Sequence, residues 1–131
     1  AGAGTGWDFL SITGTLTIDA TPSDPFVIDV RSLDPGGAPG PVADFDPAGV
    51  YSWEIARASG GVAGFHESKF SLATGNFQNG WQGGRWFVSV NQQGDTVFVN
   101  YAIPEPSTLV LAALGLLGLG AAGWRGRKRT V

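Results

Sequence analysis

The side chains able to do chemistry are few and widely spaced. A single histidine, His66, stands beside Glu67. One imidazole is too little for a nucleophile–base–acid triad or for a typical zinc site, so His66 reads as a surface residue. Glu54 and Glu67 would suit glycoside cleavage as a paired acid and base. However, Glu54 falls on the polar side of its local pattern, and no spacing brings the two carboxylates together. Asp44-Phe45-Asp46, with Asp34 upstream, offers oxygens to Ca²⁺ but lacks the Gly and Glu spacing of a dedicated calcium loop. It reads as a solvated acidic turn. Trp81 and Trp86 flank Gln82-Gly83-Gly84-Arg85, with Asn76, Gln78 and Asn79 just before them. Indole rings stack on sugar faces while amides bond hydroxyls, which makes Trp81 and Trp86 candidate glycan contacts. The competing reading is that both pack a domain short of large aliphatic side chains. Trp7, Tyr51 and Trp53 are expected in the core. With no cysteine in the chain, there is neither a disulfide framework nor thiol chemistry. No catalytic residue, metal site or cofactor is expected.

Charge narrows the partners. Residues 1–103 carry four basic side chains (Arg31, Arg57, Lys69, Arg85) against ten acidic ones, a net charge of −6. Nucleic acid is excluded, because it needs a basic footprint. A chain of 131 residues accommodates one small domain and a tail. It contains no Met, and Ala1-Gly2-Ala3-Gly4-Thr5-Gly6 is unlike an export leader. The expectation is a C-terminal piece of a longer protein.

The elements that would position these residues are strands. Leu10, Ile12, Leu16 and Ile18 alternate with polar residues, and Gly14 takes one inward place. This is a half-buried strand pattern with a bend at the glycine. Thr21-Pro22-Ser23-Asp24-Pro25 is turn chemistry, followed by a strand with Phe26, Ile28 and Val30 on one face. Residues 34–47 form a Pro- and Gly-rich loop. Tyr51, Trp53 and Ile55 mark a third strand. Gly60-Gly61 turns the chain into one or two short strands around Phe65 and Phe70, and residues 75–84 are a second loop. Trp86, Val88 and Val90, then Asn91 to Asp95, then Thr96 to Tyr101, predict a β-hairpin.

The tail differs in kind. No charge occurs from Thr108 to Trp124, a stretch that as a helix reaches about 25 Å, barely enough for a bilayer core of about 30 Å. Hydrocarbon forces a helix on a single segment. Trp124 suits the interface, and Arg125, Arg127, Lys128 and Arg129 suit the cytoplasmic side as stop and orientation signals. Before the apolar run, Pro104 and Pro106 hold the chain extended around Glu105, as a processing enzyme requires.

Ile103-Pro104-Glu105-Pro106-Ser107-Thr108, the Leu/Ala/Gly-rich run and Trp124-Arg125-Gly126-Arg127-Lys128-Arg129 resemble the PEP-CTERM sorting signal. That signal belongs to exported proteins of Gram-negative, exopolysaccharide-producing bacteria. The resemblance implies recognition of Pro104, Glu105 and Pro106 by exosortase, a membrane-embedded transpeptidase-like enzyme, and removal of the tail in the manner of a GPI signal. More loosely, Trp7 to Ile18 and Gly94 to Pro104 resemble the end of autotransporter-like, right-handed β-solenoid proteins.

The expected architecture is therefore all-β over residues 1–103, as an antiparallel sandwich or a right-handed β-solenoid C-terminal cap, plus one C-terminal transmembrane α-helix. Residues 104–131 form the sorting signal: motif 104–107, helix 108–124, basic tail 125–131. The expected function is that of an exported structural protein of the cell envelope or extracellular matrix. It would be held in the inner membrane with the β domain periplasmic before processing, and reach the surface or matrix afterwards. The alternatives are a module binding extracellular polysaccharide and the non-catalytic end of a larger polysaccharide-active enzyme.

Overall fold

The structure is a computed structural model that describes residue 4 and residues 6–81, 83–104 and 114–116. Eight strands appear in order: β1 Leu10–Ile12, β2 Leu16–Thr17, β3 Phe26–Asp29, β4 Tyr51–Ala58, β5 Val62–Ala63, β6 Phe70–Ala73, β7 Arg85–Val90 and β8 Thr96–Ala102. A single 3₁₀ turn, Glu67–Lys69, precedes β6.

The chain makes two stacked passes. β1 pairs in parallel with β4, β2 with β5 and β3 with β6, setting Leu10 opposite Ala56, Leu16 opposite Val62 and Phe26 opposite Phe70. Stacking continues between strands, where Ser59 N donates to Ile12 O (3.0 Å) and Gly60 N to Gly14 O (2.8 Å). The passes touch so closely at this corner that a Cβ on Gly60 would stand 2.7 Å from the carbonyl carbon of Gly14. Gly14 itself turns the first pass with φ +102°, a conformation that glycine adopts without steric penalty. The bend expected there thus separates β1 from β2.

The chain then returns antiparallel. β8 lies between β4 and β7 in a four-stranded sheet of order β1-β4-β8-β7. Asn91 fixes the β7–β8 turn: its Oδ1 accepts from Asp95 N (3.0 Å) and Thr96 N (3.1 Å), and its Nδ2 donates to Asp95 Oδ1 (2.6 Å). The turn also closes over the second pass, for Val62 N donates to Gly94 O (2.7 Å) and Ala58 N to Asp95 O (2.9 Å). Ala56, Val88 and Val97 centre the core, with Leu16, Ile28, Ile55, Val62, Phe65, Phe70 and Leu72 packed on them. Ile55 sits at a register shift between Glu54 and Ala56.

Two expectations are corrected. Three of the strand pairings are parallel, because the second pass repeats the direction of the first, so the body is not an antiparallel sandwich. No sheet closes into a solenoid or a barrel among the described residues, where the parallel arrangement stops at two passes. The body is nonetheless built of strands, as its alternating patterns required. No helix of the described residues is long and apolar enough to cross a membrane. The span expected over 108–124 lies outside the described residues except for Leu114, Gly115 and Leu116, which are helical and exposed.

Candidate functional site

An open groove of about 690 Å³ lies where the 3₁₀ turn and β6 face the start of β7. His66, Glu67, Ser68, Phe70, Trp81 and Arg85 are among its walls. β6 and β7 are both edge strands, so each brings backbone groups not used by its neighbour. Arg85 spans the groove to pair with Glu67 and stands 5.1 Å over the Phe87 ring. His66 is spent locally: its Nδ1 lies 2.7 Å from Ser68 Oγ and accepts from Ser68 N (3.2 Å), capping the 3₁₀ turn. The groove gathers Trp81, Trp86, His66 and Glu67, but Glu54 does not line it.

Trp86 is engaged in packing. Its ring stacks on Trp53 (5.6 Å, 17°) and meets Phe77 at 4.9 Å, Tyr101 at 5.1 Å and Trp81 at 6.5 Å. Tyr51 and Phe45 extend this cluster. Trp86 Nε1 is buried and finds no hydrogen-bond partner among the described residues. Trp86 is thus a core indole with one edge on the groove. Trp81, half-buried at the rim, remains nearer the exposed aromatic that sugar stacking requires.

Two of the amides beside these indoles, Asn76 and Asn79, are also committed. Asn79 accepts from Val42 N (2.7 Å) and donates to Val42 O (2.9 Å), while Asn76 donates to Asp29. Asn79 thus pins the two long loops together, and Asn76 ties the second loop to the end of β3. The acidic loop caps itself in the same way, Asp34 Oδ1 accepting from Gly36 N and Ala38 N and Asp46 Oδ1 from Ala48 N. Among the described residues no cluster of three or more ligating side chains forms. Tyr51 and Trp53, expected in the core, are half-buried members of the aromatic cluster, and Trp7 is half-buried with its Nε1 donating to Glu54 O at 2.7 Å.

Each basic side chain of the body has a local use. Arg31 pairs with Asp29 (2.6 Å), Arg57 with Glu54 (2.8 Å) and Arg85 with Glu67, and Lys69 donates to Gly64 O (2.7 Å) and Ile18 O (3.1 Å). Glu54 and Glu67 therefore sit on separate cations, not on a shared substrate position. Bonds from Arg31 and then Asn76 hold the Asp29 carboxyl below its usual range, and bonds from Asn91 and then Thr96 do the same for Asp95. Burial pushes the Tyr101 hydroxyl above an ordinary phenol, and it donates to Pro47 O at 2.7 Å.

Sequence reasoning missed the Arg85–Glu67 bridge and the part played by Phe70, Leu72 and Thr74 in the groove. The charge signs of Arg85 and Glu67 were visible, but their approach depends on folding of residues 18 positions apart.

At the other end of β8, Tyr101 is fully buried, whereas Ile103 and Pro104 are exposed. The chain is therefore in solvent at Ile103 and Pro104, where the predicted recognition segment begins. Pro104 is described, whereas Glu105, Pro106, Arg125, Arg127, Lys128 and Arg129 lie outside the described residues. Comparison with known families finds the PEP-CTERM protein-sorting motif over residues 102–129. The chain thus bears the C-terminal sorting signal of exported, exosortase-processed proteins, and exosortase is its implied processing partner. No curated protein and no solved structure matches the chain, so the solenoid resemblance gains no support.

Proposed function

We propose that this is a structural protein of the cell envelope or extracellular matrix, delivered by its C-terminal signal and trimmed by exosortase. The sorting motif at residues 102–129 carries the reading. Its start coincides with the exit of β8 from the core, so an enzyme at the membrane reaches Pro104 without unfolding the body. Before processing, the helix of residues 108–124 holds the protein in the inner membrane, with the β body periplasmic. Afterwards the body is free at the surface or in the matrix. No catalysis is assigned to the body, because Glu54, Glu67 and His66 are each engaged by a different neighbour.

Deletion of Pro104 to Pro106 tests this in an exosortase-bearing host. The deleted protein should keep its full tail and fractionate with membranes. Release equal to that of the parent would overturn the role of these residues.

A second reading, binding of extracellular polysaccharide, is favoured by the Trp81 rim of the groove. All four body cations are paired or bonded, so a neutral glycan suits it better than an acidic one. Tryptophan fluorescence titrated with neutral polysaccharide should shift in the parent and not in Trp81→Ala. Identical curves would remove the reading. The same groove would serve if the body were the non-catalytic end of a larger polysaccharide-active enzyme.

A further inference from the structure

In the second long loop the half-buried Asn79 is followed by the exposed Gly80. The first half of that loop is anchored by the buried Phe77 and by Gln78 N, which donates to Ser32 Oγ at 2.7 Å. From Asn79 to Trp81, the hydrogen bonds found to the rest of the body among the described residues are the two between Asn79 and Val42. Asn79 Oδ1 accepts from Val42 N at 2.7 Å, and its Nδ2 donates to Val42 O at 2.9 Å. An amide can do both, because it carries an acceptor and a donor side by side. No hydrogen bond from Gly80 N is found among the described residues. Val42 is 38% exposed, so water reaches this clamp.

We propose that Asn79–Gly80 is a self-modifying site, at which deamidation irreversibly opens the latch between the two long loops. The reaction needs the backbone nitrogen after an asparagine to reach that asparagine's Cγ. A side chain on the following residue crowds the attack, and glycine has none. The other three asparagines, Asn76, Asn91 and Asn100, are followed by Phe77, Gln92 and Tyr101. Gly80 N gives up its proton and bonds to Cγ of Asn79. The Cγ–Nδ2 bond breaks, and the amide nitrogen leaves as ammonia with a proton in place of that bond. Water then opens the cyclic imide at either carbonyl, leaving aspartate or isoaspartate at this position. While both polar atoms are tied to Val42, the amide is held from turning towards Gly80 N. The clamp therefore restrains the reaction, and conversion follows its opening. Either product brings only acceptor oxygens where Val42 O needs a donor, and isoaspartate also lengthens the main chain by one carbon. The latch then does not re-form, and residues 79–81 lose their tie while Phe77 stays buried. Trp81, on the rim of the groove, is the side chain set loose. This change requires neither the sorting nor the glycan-binding reading.

The full chain in mild detergent is aged in mildly alkaline buffer, and peptide fragmentation locates each amide converted to acid. In the folded parent Asn79 should convert at least tenfold faster than Asn76, Asn91 or Asn100. Unfolding in urea releases the clamp and should speed Asn79 several-fold. Val42→Pro, which removes the donating N–H, should do the same in the folded chain. Gly80→Ala should slow conversion at least tenfold and keep the parent's circular dichroism, because a Cβ there meets no atom within 4 Å. Acrylamide should quench tryptophan fluorescence more strongly in the aged parent, and Trp81→Phe should abolish that gain. Conversion spread evenly over the asparagines, or a folded rate equal to the rate in urea, would overturn the latch. Quenching unchanged after full conversion at Asn79 would overturn the release of Trp81.

Discussion

The end of the body that leads into the sorting motif and the end that carries β1 to β3 use similar residues and treat them oppositely. In β8, Val97, Val99 and Tyr101 are at most 4% exposed, flanked on both sides by β4 and β7. In the first pass, Leu10 and Phe26 belong to the same interior pattern and stay more than half exposed. The difference is one of neighbours, not of side-chain type. Burial of an apolar group stabilises by about 25 cal/mol per Å² removed from water, so a strand with one neighbour realises only part of what its pattern promises. Stability is thus concentrated in β8 and its two neighbours rather than in the first pass.

The largest test of that contrast is at Tyr101, which fills the centre of the aromatic cluster. Tyr101→Ala should lower unfolding free energy by about 3–5 kcal/mol, the range for a large aromatic truncated in a core. Gly84→Ala should approach it, because a Cβ there would stand 2.1 Å from the Tyr101 hydroxyl. Urea denaturation measures both. Next, Val97→Ala should cost about 2 kcal/mol, while Leu10→Ala should cost about 1 kcal/mol or less. Equal losses at Val97 and Leu10 would break the contrast.

A smaller effect follows from the two depressed carboxyls, Asp29 at the end of β3 and Asp95 in the β7–β8 turn. Their pKa values lie lower in the folded state than the unfolded value of about 3.9, so they stabilise the fold above that pH. The contribution is lost as pH falls through their folded values. The urea midpoint should therefore be flat from neutrality to about pH 5 and fall below about pH 4. Asp95→Asn should shorten that acid limb, and so should Asp29→Asn. A limb unchanged in both variants would show that neither carboxyl is held by the bonds described.

Strand positions were legible where alternation was regular. Leu10 to Asp19 marked both β1 and β2 with the bend at Gly14, and the pattern from Trp86 to Tyr101 marked the hairpin. Pairing partners were not legible. Leu10 and Ala56 meet because the second pass repeats the direction of the first, and no local pattern encodes such a long-range parallel match. The candidate glycan face was legible only as composition. Trp86 proved to be held by four rings, and Asn76 and Asn79 proved to tie their loop to Asp29 and Val42, outcomes that depend on residues far along the chain. The sorting signal was the most legible feature, because its three parts act in linear order and need no tertiary fold to be read.

The central claim, that the tail is a removable address, is tested most directly by intact mass. The protein is expressed in paired strains with and without exosortase, and its mass and C-terminal peptide are measured. The account predicts loss of the C-terminal peptide ending at Val131 in the first strain and its retention in the second. An intact Val131 in both strains would contradict it.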